Sequence, residues 1–576
     1  MAKQKMLAAE AIALLLERKG VEHVYGVPGA AILPFYDAVR EKTKIKSFVV
    51  RHEQTGAFMA DGYSRATGKV GVCAATSGPG GTNLLTGLYG AYMDSIPMLA
   101  FTGQVAVPLI GSMAFQEAPV TEMAKPVCKA VYLPTDPHKI PEIVHEAWET
   151  ATTGRKGPVL IDLPVDVQKV EIEVDLDAFT SVPERLPEAK DEDIDEVLHL
   201  LKQAKKPVLL SGGGVNLANA TQELKEMAEA LQIPVVTALM GIDTFPNDHP
   251  LFAGRMGTML NTPYGNKTIL ESDLIINLGG RFGDRSTGKT DVFKRDAKIV
   301  HVNLDKKEIG KSVKTEVGIV ADVKSFMVKM TQAVKDVKSE IAVTVSEGVK
   351  KLDLTEERKR HARKTDFETL PIKPQRALRE LREFLDRDAF VSHDCGISQI
   401  WSCQLFETYL PRTYLITGGA GTMGWGLGAA MAAKLAYPER QSVNIVGDGS
   451  LGMSLQDLAT AAKFDIPVIV FVLHNALLGL IRQQQNWFYE ERDISTDLVY
   501  YNELSDNGDR GTDFVKTAEG MGVRGELVTH WKDIKPALQR AKDLNKPYVI
   551  EVVVDPKAIC GFANDGTLKG IDYTQN

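Results

Sequence analysis

The chain has 576 residues, is 44% hydrophobic and 25% charged, and carries a formal net charge of −8. This length exceeds what one hydrophobic core supports, so several domains are expected, and the composition excludes disordered and fibrous classes. A mild negative charge without long like-charge blocks gives no basis for nucleic acid or an anionic membrane as partner, and five scattered cysteines without a Cys-x-x-Cys pair exclude a disulfide scaffold and a zinc cluster.

From the amino terminus, residues 8–16 repeat apolar positions at helical spacing rather than as the apolar core of a signal peptide, and no run of ~18 apolar residues occurs anywhere. A cytoplasmic protein is the expectation. Residues 46–50 read as a strand ending in Arg51-His52-Glu53, and 54–67 as a helix rich in Ala and Gly. In isolation, Glu53 is a negative charge suited to a helix start. A helical stretch, then Ile-Pro, then an apolar strand recurs at Asp94-Ser-Ile-Pro-Met-Leu-Ala-Phe, Leu231-Gln-Ile-Pro-Val-Val-Thr-Ala and Phe464-Asp-Ile-Pro-Val-Ile-Val-Phe-Val-Leu. Proline suits the first residue of a strand, and short unbroken apolar strands between helices indicate parallel sheets covered on both faces. The expected fold is α/β, with three doubly wound parallel-sheet domains. Linkers fall at 171–195 and 335–363, giving domains 1–180, 190–340 and 365–556, then a tail 557–576 that suits either a frayed end or a flap over a site.

The middle domain carries Ser211-Gly-Gly-Gly, Leu239-Met-Gly and Gly279-Gly-Arg-Phe-Gly-Asp-Arg-Ser-Thr-Gly, with Asp305 at a strand end. Glycines such as Gly213 and Gly214 after an apolar strand point weakly to a nucleotide, and an empty domain stays open. In the third domain, strand 442–446 runs into Gly447-Asp448-Gly449-Ser450, and after helix 455–463 strand 467–473 ends at His474-Asn475. Carboxyl ends of neighbouring parallel strands form the ligand crevice, so Asp448 and Asn475 are expected side by side. One carboxylate, one amide and a backbone carbonyl suit a diphosphate-bound Mg2+, and the amides of Gly449 and Ser450 at a helix start suit phosphate oxygens. A bare Gly-Asp-Gly is also an ordinary turn; its spacing from the strand-ending Asn favours the site.

That spacing resembles the signature of thiamine-diphosphate (ThDP) enzymes. The run Arg51 to Gly68 is similar to the acetohydroxyacid synthase type almost position by position. Tyr25-Gly-Val-Pro-Gly-Ala, Thr76-Ser-Gly-Pro-Gly-Gly-Thr-Asn, Ala114-Phe-Gln-Glu-Ala and Gly157-Pro-Val-Leu-Ile-Asp-Leu-Pro-Val-Asp-Val-Gln resemble acetohydroxyacid synthases and glyoxylate carboligases, so the likeness covers nearly the whole chain. It implies a decarboxylating carboligase of small 2-oxo acids. By resemblance, Glu53 hydrogen-bonds the cofactor's aminopyrimidine, Gly29 and Gln116 line the reacting carbon, Met423 props the bent cofactor, and the carbonyl of Leu477 joins Asp448 and Asn475 on the metal. His474 departs from the pattern, which usually has a second Asn there. The same relatives carry a non-redox FAD in the middle domain, where Arg281, Asp305 and Asp322 fall at matching positions. They bind pyrimidine and diphosphate on different chains, which implies a homodimer or homotetramer with the site at the dimer interface.

The substrate wall mixes two patterns. Ile397, Ser398 and Gln484, with Leu480 and Ile481 beside them, look like glyoxylate carboligase, where acetohydroxyacid synthases typically have Gln-His and Trp. The glyoxylate carboligases that resemble this chain have Val at the position of Glu53, whereas this chain keeps the carboxylate. The expected reaction is two glyoxylates to tartronate semialdehyde and CO2. Two pyruvates to 2-acetolactate is the alternative, and a decarboxylase without ligation is a third reading.

Overall fold

The computed structural model describes residues 3–181, 184–290, 293, 296–335, 354–500 and 510–561. Its frame is three six-stranded sheets, and every neighbouring pair of strands in them is parallel. Strands such as Gly71–Ala75, Met98–Gln104 and Pro158–Pro164 are buried along their whole length, which is why they read as unbroken apolar runs rather than alternating ones.

Across the first sheet the strands run Lys46–Val49, His23–Val27, Gly71–Ala75, Met98–Gln104, Pro158–Pro164, Ala130–Tyr132. Across the third they run Tyr414–Ile416, Phe390–His393, Ser442–Gly447, Ile469–His474, Tyr548–Val553, Arg524–Val528. Counted in chain order within each sheet, both read 2-1-3-4-6-5. The middle sheet differs: Phe252–Arg255, Val235–Thr237, Pro207–Ser211, Leu274–Leu278, Lys298–Asn303, Val317–Val320, which reads 3-2-1-4-5-6, the order of dinucleotide-binding folds. The Ile-Pro repeat therefore marks the fourth strand in the outer sheets and the second in the middle one. The proline stands just ahead of each strand rather than inside it.

Two expectations change. The stretch from residue 171 begins with a strand, Glu171–Val174, paired antiparallel with Gln4–Leu7. Ile172 and Val174 are buried while the two glutamates face out, a period-two pattern too short to stand out from acidic linker. Within 335–363, helix Leu354–Arg360 is present, and 336–353 lie outside the described residues, as does the tail beyond 561. Among the described residues no helix is long and apolar enough to cross a membrane.

The first and third sheets are brought together by helix Glu53–Thr67 lying on helix Trp425–Ala436. A Cβ on Gly62 would stand 2.4 Å from the Ala429 Cα, so only glycine permits this approach. Beside that contact Arg65 is sealed between two carboxylates. Its Nε and Nη2 donate to Asp61 at 3.0 and 3.1 Å, Nη2 also to Asp94 at 3.0 Å, and Nη1 to the Ile416 carbonyl at 2.7 Å. Asp61 accepts from Trp425 Nε1, and Asp94 from the amides of Gly418 and Gly419.

Candidate active site

The register of the third sheet sets Gly447 opposite Leu473, so Asp448 follows its strand level with His474, the last residue of the next strand, and Asn475 comes just after it. Asp448 opens the short helix Asp448–Leu451 and is buried. Its Oδ1 accepts from the Gly449 amide at 2.8 Å and its Oδ2 from the Ala476 amide at 2.5 Å, which ties it to the Asn475 loop. Burial pushes its pKa up, against the pull of His474 and these amides. Asn475 Oδ1 accepts from the Leu477 amide at 3.2 Å, and Ala476 between them holds a left-handed φ of 57°. Ser450 donates to the Cys395 carbonyl. A Cβ on Gly449 would meet Leu478 at 2.7 Å and the Met423 methyl at 3.8 Å, so Met423 overhangs the glycine turn. Ile397 closes the same corner, 2.9 Å from where a Gly479 Cβ would sit.

Helix Gly479–Phe488 divides the residues assigned to the substrate wall. Leu480 packs on the third-domain core with Ile397, while Ile481 stands outward, 46% exposed, on the face it shares with half-buried Gln484.

The first domain gathers a second cluster. Glu53 is the first residue of its helix, and its Oε2 accepts from Asn83 Nδ2 at 2.9 Å. Gly29 abuts Thr76, whose buried Oγ1 has no hydrogen-bond partner among the described residues, with 2.6 Å left for a Cβ. Gly78, at φ 60°, lies against Gln116, itself at φ 60°. A Cβ on Gly80 would stand 3.7 Å from Glu53 Oε1. Gly29, Glu53 and Gln116 thus surround one glycine-lined mouth. Its outer lip is apolar, with Met113 95% and Phe115 87% exposed.

The middle sheet reverses strand order between Pro207–Ser211 and Leu274–Leu278, and a cleft of about 980 Å³ opens there. It is lined by Gly213, Gly214, Arg281, Asp305 and Asp322, and by Met93 to Ser95 of the first domain and Gly418 and Gly419 of the third. A Cβ on Gly212 would come within 2.4 Å of Gly280, so the two glycine turns touch through their backbones. Arg281 donates to the Met93 carbonyl and stands 3.8 Å from Asp94; Arg155 reaches Asp305 at 3.6 Å. Asp322 accepts from the Ser325 amide at 3.0 Å, a helix-capping contact.

Sequence reasoning passed over two groups. Asn83 stands in a quoted motif but was given no role, although it holds Glu53. Behind Asp448, His474 Nδ1 meets Glu551 Oε1 at 2.9 Å, its Nε2 meets the Arg510 carbonyl at 2.7 Å, and Asp448 Oδ2 lies 3.6 Å from that Nε2. Burial pulls the His474 pKa down, but Glu551 and Asp448 outweigh it and the net shift is upward. The available signal was Glu551, a lone charge in the apolar strand Tyr548–Val553.

Family models match over most of the chain: "Thiamine pyrophosphate enzyme, N-terminal TPP binding domain" at 6–124, "central domain" at 194–330 and "C-terminal TPP binding domain" at 394–552. The "Probable acetolactate synthase large subunit" of Methanocaldococcus jannaschii is 40% identical, covering 96% of this chain and 92% of its own. The "Acetolactate synthase large subunit" of Corynebacterium glutamicum is 40% identical, with 97% and 88% covered. The "Glyoxylate carboligase" of Escherichia coli O157:H7 is 37% identical, with 96% and 93% covered. The chain belongs to the ThDP-dependent acetolactate synthase and glyoxylate carboligase family of enzymes.

Proposed function

We propose that the protein decarboxylates one small 2-oxo acid and joins the remainder to a second carbonyl compound, with ThDP and Mg2+ at the third-domain turn and FAD in the middle cleft. The observation that carries this reading is the meeting of Asp448 with the Asn475 to Leu477 loop. One carboxylate, one amide and one carbonyl leave positions for diphosphate oxygens on an octahedral ion. The middle cleft fits a dinucleotide by its strand order and touching glycine turns.

When bound, ThDP supplies a carbon nucleophile and the electron sink for CO2 loss. Glu53, steadied through Oε2 by Asn83, would hydrogen-bond the aminopyrimidine of the bound cofactor. Gly29 and Gln116 would line the space for the reacting atoms, and Met423 would support the bound cofactor. The hydrogen bonds of Glu53 and of Asp448 stay within their own domains, and the first-domain mouth has an exposed apolar lip. Both features suit a second copy closing the site across a dimer interface.

Between the acids, Ile397, Ser398 and Gln484 favour glyoxylate, giving tartronate semialdehyde. The names of most relatives and the presence of Glu53 favour pyruvate, giving 2-acetolactate, at least as well. One methyl group is worth only ~1–3 kcal/mol of discrimination, so both acids should turn over to some extent. Incubation with ThDP, Mg2+ and each acid, with product analysis and kcat/KM for both, tests the reading. A coupled product with either acid supports a carboligase, and the larger kcat/KM assigns the substrate. Release of the free aldehyde alone refutes ligation.

A further inference from the structure

A second cavity, of about 420 Å³, lies away from both cofactor sites, where the middle domain, helix Leu354–Arg360 and helix Pro374–Phe384 meet. Five arginines line it (Arg255, Arg358, Arg363, Arg379 and Arg382) against two carboxylates, Glu383 and Glu407. Arg255 among them is buried, and buried guanidinium charge is costly to leave without a counter-ion.

The hydrogen bonds of three of them sharpen the point. Arg255, 4% exposed, donates Nη1 to the Cys403 carbonyl and Nη2 to Asn247 Oδ1 and the Phe406 carbonyl, each at 2.6 Å. Arg358 donates to the carbonyls of Asn247 at 3.3 Å, His249 at 2.6 Å and Phe252. Arg382 donates to those of Leu385 at 2.6 Å and Asp386 at 2.8 Å. All these acceptors are neutral. The carbonyls fix the planes of the guanidinium groups without cancelling their charge, and among the described residues the buried Nε atoms of Arg255 and Arg358 have no partner. Glu383 is already engaged by Arg379 at 2.7 Å and Lys535 at 2.6 Å.

We propose that this cavity binds a small phosphorylated molecule through Arg255, Arg358 and Arg382. A phosphate group carries at least three acceptor oxygens, so it can answer several guanidinium groups at once where a carboxylate offers only two. The volume lies within the range of small-molecule sites and exceeds what a bare phosphate fills. Tyr264 and Tyr409 line the remaining space. Arg255 also grips the carbonyls at the end of helix Ile397–Leu405, whose first residue stands at the glycine corner beside Asn475. Occupancy should therefore be felt at the third-domain site.

The test is calorimetric titration of the full chain, saturated with ThDP, Mg2+ and FAD, using inorganic phosphate, pyrophosphate and ADP as probes. Saturating the other sites first keeps the probes off them. The expected result is saturable, salt-weakened binding that Arg382→Gln reduces by at least about tenfold while the ligand-free melting temperature stays close to wild type. ADP binding more tightly than pyrophosphate identifies a nucleoside phosphate; equal binding identifies the phosphate group alone. Should Arg382→Gln fail to fold, Arg379→Gln at the cavity rim serves in its place, with the same direction expected. Absence of saturable binding by all three probes, or binding untouched by the substitution, overturns the proposal.

Discussion

Replacing Arg65 by Met would remove the charge that neutralises Asp61 and Asp94 at the contact between the outer domains. The three residues are 7%, 0% and 5% exposed. The substitution leaves an unbranched apolar side chain but deletes four hydrogen bonds and the stacking of the guanidinium over Trp425, 5.2 Å from the ring centre. Asp94 would retain the amides of Gly418 and Gly419, and Asp61 the indole of Trp425. Breaking a buried ion pair from one side costs about 3–5 kcal/mol, and the retained donors place this case toward the lower end.

The pH dependence of that loss gives the sharper test. Burial already raises the pKa of Asp61, and without Arg65 the rise grows. A carboxyl with a raised folded-state pKa takes up a proton on folding, so its variant regains stability as pH falls. Urea unfolding followed by tryptophan fluorescence should show a larger deficit at pH 8 than at pH 5.5. A deficit below ~1 kcal/mol at both values, or one that widens toward acid, would refute the assignment of a charge-compensating role to Arg65.

Glu53→Gln should slow C2 deuterium exchange on bound ThDP sharply with little change in melting temperature; unchanged exchange removes its assigned role. Asp448→Asn should weaken Mg2+-dependent ThDP binding by more than about a hundredfold in a fluorescence titration, because even outer partners of metal ligands cost 10–100-fold. Retained affinity would exclude Asp448 as a ligand. Asp162, on strand Pro158–Pro164, has its pKa raised to about 7 by burial, against hydrogen bonds from Thr102 and Gln104. Its folded form prefers the proton, so stability is fully present below pH ~4 and falls as pH rises through 7, by roughly 4 kcal/mol for this one group. Asp162→Asn should flatten the stability profile between pH 4 and 8, and parallel profiles would contradict the reading.

The parts of this architecture that sequence discloses are those written in short stretches. Asp448 and Asn475 were legible because one helix and one strand separate them, and parallel pairing then leaves little freedom over where their strands end. Strand Glu171–Val174 was missed because its partner lies at the other end of the domain and its four residues carry only two apolar positions. The opposite placement of Leu480 and Ile481 depends on the phase of a helix whose start, at Gly479, no capping residue announces. Arg65 with Asp94 and Ile416, like the arginines around the smaller cavity, joins residues far apart in the chain, and no local pattern encodes such meetings.

The middle cleft takes walls from all three domains, with Met93 to Ser95 on one side and Gly418 and Gly419 on another. A molecule lodged there would touch all three domains at once, so parting them would cost it contacts. Its affinity is thereby converted into resistance to heat, about 2.7 kcal/mol when it is present at a hundred times its dissociation constant. A group seated this way would hold the three domains together simply by being bound there.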